Sequence, residues 1–384
     1  MPLTLSGKTL PESMERLVAQ FRVEPSAAPS PGVAADAASQ GLKFGTVFTD
    51  HMVRISWTRS GGWAKQRVVP YGPLELSPAT AVLHYGQEVF EGLKAYRHAD
   101  GTIWSFRPVK NAKRFNKSAV RLALPELPTD LFVASCAALV RLDRDWVPSA
   151  PDTSLYLRPF MFASEAFLGV RPANEVEFLV IASPAGAYFA GGVRPVSIWV
   201  DAHYHRAAPG GTGAAKCGGN YAASLLPQQL AAAKGFDQVL YLAVSDAGNI
   251  EELGGMNLIA VRADGTVETP ALTGTILEGV TRDSILQLAK ARGHRVEERP
   301  IPLAELVADI ESGAVTELFA CGTAAVVTPV GRLAGKLPGE QPRKFDVTVG
   351  SGEPGALTMA LRDELTGIQY GLIPDTHGWL TRLA

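Results

Sequence analysis

Gly210-Gly211-Thr212-Gly213-Ala214-Ala215-Lys216-Cys217-Gly218-Gly219-Asn220-Tyr221 sets a lysine between two glycine clusters, with a tyrosine close behind. A lysine amine attacks carbonyls only when its charge is suppressed, and a close-packed backbone around a buried stem is one way to suppress it. Lys216 is therefore the first candidate for catalysis. Most glycine-rich loops carrying a lysine are solvated turns, so the loop alone does not decide the matter. A nucleotide-binding phosphate loop needs Gly-Lys-Ser/Thr before a helix. Ala215 precedes this lysine and Cys217 follows it, so that option fails.

The 384 residues suffice for about two domains with real cores. Hydrophobic content of 46% and charged content of 19% are ordinary for a globular protein. The formal net charge is −2 with both signs dispersed, which offers no basic field for nucleic acid and no polybasic stretch for a membrane. Small-molecule chemistry is the better expectation. The start, Met1 to Lys8, has no apolar core of signal-peptide length, and no run reaches the roughly 18 apolar residues of a membrane span. A cytoplasmic location is expected. Cys136, Cys217 and Cys321 are odd in number and widely spaced, and read as reduced thiols.

Residues 1–40 read as an N-terminal arm, Pro/Ala/Ser-rich from 24 onward and in part loosely ordered. A small α+β domain is expected over 41–185, an interdomain linker over 186–196 where Gly and Pro punctuate the chain, and a larger cofactor-binding domain over 197–384. In the first half, Val53 to Trp57 alternates as a strand, and Leu93–Arg97 and Thr102–Phe106 form a hairpin through Asp100-Gly101. Helices over 108–123 and 129–146 and strands over 154–162 and 176–183 follow. The second half predicts strands near 194–201, 238–244, 257–263 and 315–321, and helices near 221–234, 280–292, 302–312 and 354–369. Without strict βαβ alternation, α+β fits better than a doubly wound sheet.

Three further segments share a chemistry. Gly279-Val280-Thr281-Arg282 opens a helix whose N-terminal amides make an anion site. Ala320-Cys321-Gly322-Thr323-Ala324-Ala325 follows a strand and leaves a small-residue loop whose amides and Thr323 hydroxyl suit phosphate oxygens. In Glu251-Glu252-Leu253-Gly254-Gly255-Met256-Asn257, carboxylates precede a glycine pair and a strand. Each alone is also an ordinary cap or turn. Lysine, tyrosine, carboxylate and two phosphate sites together fit pyridoxal phosphate, whose aldehyde takes a lysine Schiff base and whose ring takes an acidic partner.

These motifs, with Phe90-Glu91-Gly92-Leu93-Lys94-Ala95, resemble the signatures of branched-chain amino acid aminotransferases, in the fold type IV (D-amino-acid-aminotransferase-like) group of pyridoxal phosphate enzymes. The resemblance runs from about Phe44 to Gln369-Tyr370-Gly371. It implies a two-domain α+β fold, with Lys216 forming the Schiff base and shuttling a proton, Tyr221 on the ring 3-oxygen and Glu252 on the pyridinium nitrogen. It further implies that Arg114, Thr323, Val280 and Thr281 hold the phosphate and that Arg206 supports the ring or the lysine loop. Phe44, Tyr85, Phe90, Tyr156 and Tyr188 match the family's side-chain pocket, Arg158 matches the site of the second carboxylate of 2-oxoglutarate or L-glutamate, and Thr323 and Ala324 fall on the substrate side. The implied activity is ping-pong amino transfer between branched-chain L-amino acids (leucine, isoleucine, valine) and 2-oxoglutarate, in a homodimer. A D-amino-acid transaminase, an aminodeoxychorismate lyase and a non-catalytic cofactor-binding protein are the competing readings.

Mammalian members carry a Cys-x-x-Cys redox pair where this chain has Ala325 and Thr328, so thiol regulation of that kind is not expected. Gly255 stands where some members place a threonine. Asp201-Ala202-His203-Tyr204-His205 gives two histidines and one acid, an incomplete metal shell, and no metal is expected.

Overall fold

The structure is a computed structural model describing residues 7–30, 44–186, 192–244, 248–339 and 343–384. Tyr188 and the centre of the expected linker lie outside these residues. Of the described residues, those up to 186 together with Gly367–Ala384 make one compact unit, and those from 192 to Thr366 make the other.

In the first unit, nine described strands form one sheet. Its order is Arg22–Val23, Gly62–Pro70, His51–Thr58, Glu175–Ala185, Ser154–Ala163, Leu93–Arg97, Ile103–Phe106 and Leu380–Arg382, with Glu88–Phe90 pairing beside Ser154–Ala163. The helices Pro108–Arg121 and Thr129–Leu142 cover it through an aromatic cluster. Phe115 and Phe132 lie 5.3 Å apart, and Phe178 of the strand Glu175–Ala185 sits 5.6 and 6.1 Å from them. Such rings contribute large buried area plus favourable edge contacts, which fixes the helices on the sheet. The second helix ends at Leu142, short of the expected 146, because Asp143 turns inward to accept from the His51 backbone N–H at 3.0 Å and to pair with His51 Nδ1 at 2.6 Å.

Two further features of this unit differ from the sequence expectation. The arm carries a helix, Glu12–Val18, that starts after Pro11, buries Met14 and is held by Glu15 gripping Arg141 with both oxygens at 2.7 Å. The closing residues, expected in the second domain, belong here: Leu380–Arg382 runs antiparallel to Ile103–Phe106, and Lys8 bridges to Thr381. A three-residue strand has no readable period of its own, and only its pairing defines it.

The second unit has a second nine-stranded sheet among the described residues. Its order is Ile250–Leu253, Gln238–Leu242, Val196–Asp201, Val326–Lys336, Val315–Gly322, Asn257–Arg262, Val267–Pro270 and Val296–Arg299, with Lys344–Thr348 beside Val326–Lys336. Parallel and antiparallel pairs are mixed, as an α+β reading requires. Leu303, Leu306, Val307 and Ile310, at helical spacing on Leu303–Ser312, pack into a core with Leu318, Leu333 and Val347. The helix Gly218–Ala233 begins three residues before the expected 221, which places Tyr221 in its first turns, close to Lys216. Among the described residues no helix is long and apolar enough to cross a membrane.

Candidate active site

Lys216 stands just before Cys217, the N-cap of the helix Gly218–Ala233. Its Nζ lies 2.7 Å from the Tyr221 hydroxyl. Asn220 staples the glycine loop to the helix start. Its Nδ2 donates to the carbonyls of Thr212 and Ala215, both at 2.8 Å, and its Oδ1 accepts from the Thr212 hydroxyl at 2.7 Å. Gly213 is forced by close approach, since a Cβ there would fall 2.2 Å from the Thr275 carbonyl oxygen and 2.5 Å from Ala207 Cβ. Gly213 thus serves packing around the lysine, whereas Gly210, exposed at φ 75°, serves a solvated turn.

Arg206 draws this loop to the acid. Its Nη1 approaches the carbonyls of Gly213 at 3.2 Å and Thr275 at 3.1 Å and pairs with Glu252 Oε1 at 2.9 Å. Glu252 lies on the strand Ile250–Leu253, a segment the sequence reads as a turn before a strand, and is 2% exposed. Its Oε1 also accepts from the Leu277 backbone N–H at 2.8 Å, and its Oε2 accepts from Asn257 Nδ2 at 3.0 Å. Burial pushes the carboxyl up to about 7, with Glu251 pushing the same way and Arg206, the Leu277 N–H and Lys216 opposing. A buried acid poised there is ready to pair with one more cation.

This has a consequence for stability. A carboxyl whose folded pKa is raised from 4.5 to about 7 favours the folded state fully below pH 4.5, and that contribution is lost as pH rises through 7. The cofactor-free wild type is expected to lose about 3 kcal/mol more than Glu252→Gln between pH 4.5 and 8, read from urea unfolding of both proteins. A cationic ligand at Glu252 should reverse the trend, and equal pH slopes in the two proteins contradict it.

At the other end, the helix Val280–Ala291 starts after Gly279 with no side-chain capping bond. Its first amides, at Val280 and Thr281, suit an anion. Thr323 and Ala324 lie half-buried in the turn between the strands Val315–Gly322 and Val326–Lys336. Val326 closes that turn at φ 60°, a left-handed conformation that costs a β-branched residue of order 1–3 kcal/mol. Amine with phenol, ion-paired carboxyl and uncapped helix start therefore stand in one unit. This donor set fits a pyridoxal phosphate aldehyde with its 3-oxygen, its ring nitrogen and its phosphate.

In the first unit, Phe44 meets Tyr156 edge-on at 4.9 Å. Arg158 lies over Phe90 at 4.8 Å and over Tyr156 at 5.4 Å, and its Nη2 donates to the Tyr156 hydroxyl at 3.1 Å. Its Nε is buried without a hydrogen-bond partner. Phe44, Phe90, Tyr156 and Arg158 are thus brought together. Tyr85 is set apart, exposed and donating to the Leu168 carbonyl. Arg114 is gripped by buried Glu91, Nε to Oε1 at 2.7 Å and Nη2 to Oε2 at 2.8 Å. Asn111 Nδ2 and the Gly92 N–H also donate to Glu91.

Several residues of these sites escape a reading of the sequence. Glu91, Asn220 and Asn257 are visible there only as parts of motifs, and Thr275 acts through a partner 24 residues away. Buried Glu251, neighbour of Glu252, accepts from the Thr275 hydroxyl. Asp201 is spent on the backbone N–H groups of His203 and Tyr204, at 2.8 and 2.9 Å. Cys217 is a buried packing residue, and burial pushes the Cys321 thiol up to about 12, so it remains protonated.

Known proteins are similar to this chain in sequence and in fold. A family profile for class IV amino-transferases matches residues 88–333. A branched-chain-amino-acid aminotransferase of Mycolicibacterium smegmatis is 52% identical over 368 residues, covering 95% of this chain and 98% of that protein. The T.th. branched-chain amino acid aminotransferase, solved with pyridoxamine 5'-phosphate, superposes with a TM-score of 0.69 at 32% identity, covering 86% of this chain and 98% of that one. The same enzyme solved with N-(5'-phosphopyridoxyl)-L-glutamate gives a TM-score of 0.68 at 31% identity, with the same coverage. With the lysine, phenol and buried acid gathered in one unit of this fold, the chain belongs to the class IV aminotransferases, in their branched-chain-amino-acid group.

Proposed function

We propose that the protein moves the amino group between leucine, isoleucine or valine and 2-oxoglutarate, in a ping-pong cycle with pyridoxal phosphate as cofactor. The observation that carries this reading is the buried Glu252, ion-paired to Arg206 in the unit that holds Lys216 against Tyr221. Relatives solved with pyridoxamine 5'-phosphate and with a phosphopyridoxyl-glutamate adduct support it. Pyridoxal phosphate, when bound, supplies an aldehyde that takes up an amine and a protonated ring that draws electrons from the substrate Cα.

The chain's own groups do the rest. Lys216 Nζ carries the proton to and from the reacting carbon, which a single positioned amine accomplishes without reorganisation. The Tyr221 hydroxyl orients that amine and donates to the ring oxygen. Glu252 stabilises a proton on the ring nitrogen, and Arg206 together with the Asn257 and Leu277 donors keeps the carboxylate aimed. The amides of Val280 and Thr281 and the Thr323 hydroxyl bind the phosphate, while the cofactor role of Arg114, whose guanidinium Glu91 orients, rests on the family resemblance. Phe44, Phe90 and Tyr156 form the apolar wall that accepts a branched side chain and leaves a polar one unpaired. Arg158 takes the second carboxylate of 2-oxoglutarate or glutamate.

Transfer from L-leucine to 2-oxoglutarate, followed as glutamate formed, tests the function. Arg158→Met, which keeps the packing, is expected to raise the KM for 2-oxoglutarate ~10–100-fold, the worth of a charge-assisted bond. The KM for leucine should change little, and an equal change for both substrates contradicts the assignment. We assign a homodimer as well. Leu225, Leu226 and Leu230, 68%, 50% and 41% exposed on the helix Gly218–Ala233, leave an apolar face that suits a second copy. Sedimentation at 40.8 kDa rather than twice that mass counts against it. Three buried free cysteines accord with the reducing cytoplasm.

A further inference from the structure

Asn257 opens the strand Asn257–Arg262 and is 5% exposed. Its Nδ2 donates to Glu252 Oε2 and to the Leu277 carbonyl, both at 3.0 Å, and the Leu277 N–H returns to Glu252 Oε1 at 2.8 Å. Two acceptors facing one atom fix which end of the amide is nitrogen. The oxygen end lies against the start of the next helix. A Cβ on Gly279 would fall 2.0 Å from Asn257 Oδ1. Gly279 has φ −64° and ψ 127°, values open to any L residue, so Asn257 and not backbone strain is the main obstacle to a side chain there, with Arg282 Cβ a lesser one at 3.2 Å. Asn257 also stands opposite Cys321 in the sheet, at the end of the strand that leads into the Thr323 turn. One buried amide therefore adjoins the acid, the helix start and the turn.

We propose that Asn257 is a positioning residue that clamps Glu252 and the N-terminus of the helix Val280–Ala291 at one spacing, so that ring nitrogen and phosphate are gripped as a unit. The inference rests on the cofactor reading above. Cutting the clamp leaves each anchor in place but lets the two drift independently, which weakens cofactor binding without removing a group that touches the cofactor.

The test is titration of cofactor-free protein with pyridoxal phosphate, followed by quenching of tryptophan fluorescence, with no turnover involved. Asn257→Ala is expected to weaken binding ~10–100-fold, as does loss of a bond to a buried charge. Gly279→Ala should do the same by pushing the amide aside. The double variant Asn257→Ala/Gly279→Ala is expected to bind no worse than Asn257→Ala alone, because the obstacle to the new methyl is gone. Independent, multiplying losses overturn the proposal, as does wild-type binding by Asn257→Ala. Should Gly279→Ala fold poorly, recovery of its melting temperature in the double variant is the same result, and failure to recover is the contrary one.

A pH readout separates positioning from simple packing. Asn257→Asp, which sets a second carboxylate against Glu252 Oε2, should move the pH at which bound-cofactor absorption changes further than Asn257→Ala does, and an unmoved profile counts against the clamp. Glu252→Gln separates the clamp from the reading beneath it. If that variant binds and titrates as wild type while the Asn257–Gly279 coupling persists, the ring-nitrogen role falls and the clamp stands. A sensitive Glu252→Gln with no coupling does the reverse.

Discussion

Lys216→Ala is expected to lower leucine-dependent turnover at least about 10⁴-fold while leaving the fold and the affinity for phosphate-bearing cofactor largely intact. A positioned general acid–base group alone is worth ~10²–10⁴ in rate, and in the proposed cycle the same side chain also supplies the amine for the cofactor aldehyde. Tyr221, 2.7 Å away, cannot substitute, because it is a phenol without a nucleophilic amine. Gly213 and Asn220 hold the loop independently of the lysine side chain, so circular dichroism should be unchanged. Single-turnover absorbance after mixing with leucine measures the loss. Turnover within tenfold of wild type contradicts the role of Lys216.

Glu252→Gln comes second in size. It leaves a carboxamide where Arg206, the Leu277 N–H and Asn257 all direct donors, and it removes the only charge among those groups that can stabilise a protonated ring. Removing one partner of a buried ion pair costs ~3–5 kcal/mol. If that cost falls on the transition state, kcat drops roughly 10²–10⁴-fold. The signature is a kcat loss larger than the change in the KM for leucine, because the charge matters most when electrons flow into the ring. A variant that loses cofactor but, once saturated with it, turns over normally contradicts the electronic role and leaves only a binding role.

The chemistry of this protein is more legible in its sequence than its architecture. Lys216, Tyr221 and Glu252 stand out because, with the two anion-binding segments, they make a combination that fits one cofactor, and the structure sets the lysine against the tyrosine and the acid on a strand of the same unit. Long periodic elements such as Thr129–Leu142 and Leu303–Ser312 are readable for the same reason that they are stable, since one face must be apolar. Short edge strands carry no such pattern. Arg22–Val23 and Leu380–Arg382 exist through their partners, and Leu380–Arg382 moves the end of the chain into the first unit. Positioning groups escape for a related reason. Asn257 and Glu91 earn their places through bonds to residues 5 to 23 positions away and through contacts such as Gly279, which no local spacing announces.

The most direct test of the central claim is the visible absorption of the purified protein saturated with pyridoxal phosphate, recorded as L-leucine and then 2-oxoglutarate are added. The expected result is loss of the bound-cofactor band with leucine alone and its return with the oxo acid, since two half-reactions on one cofactor require that order. A band that forms but ignores leucine contradicts the branched-chain assignment, and the absence of any band with pyridoxal phosphate in excess contradicts the role of Lys216 itself.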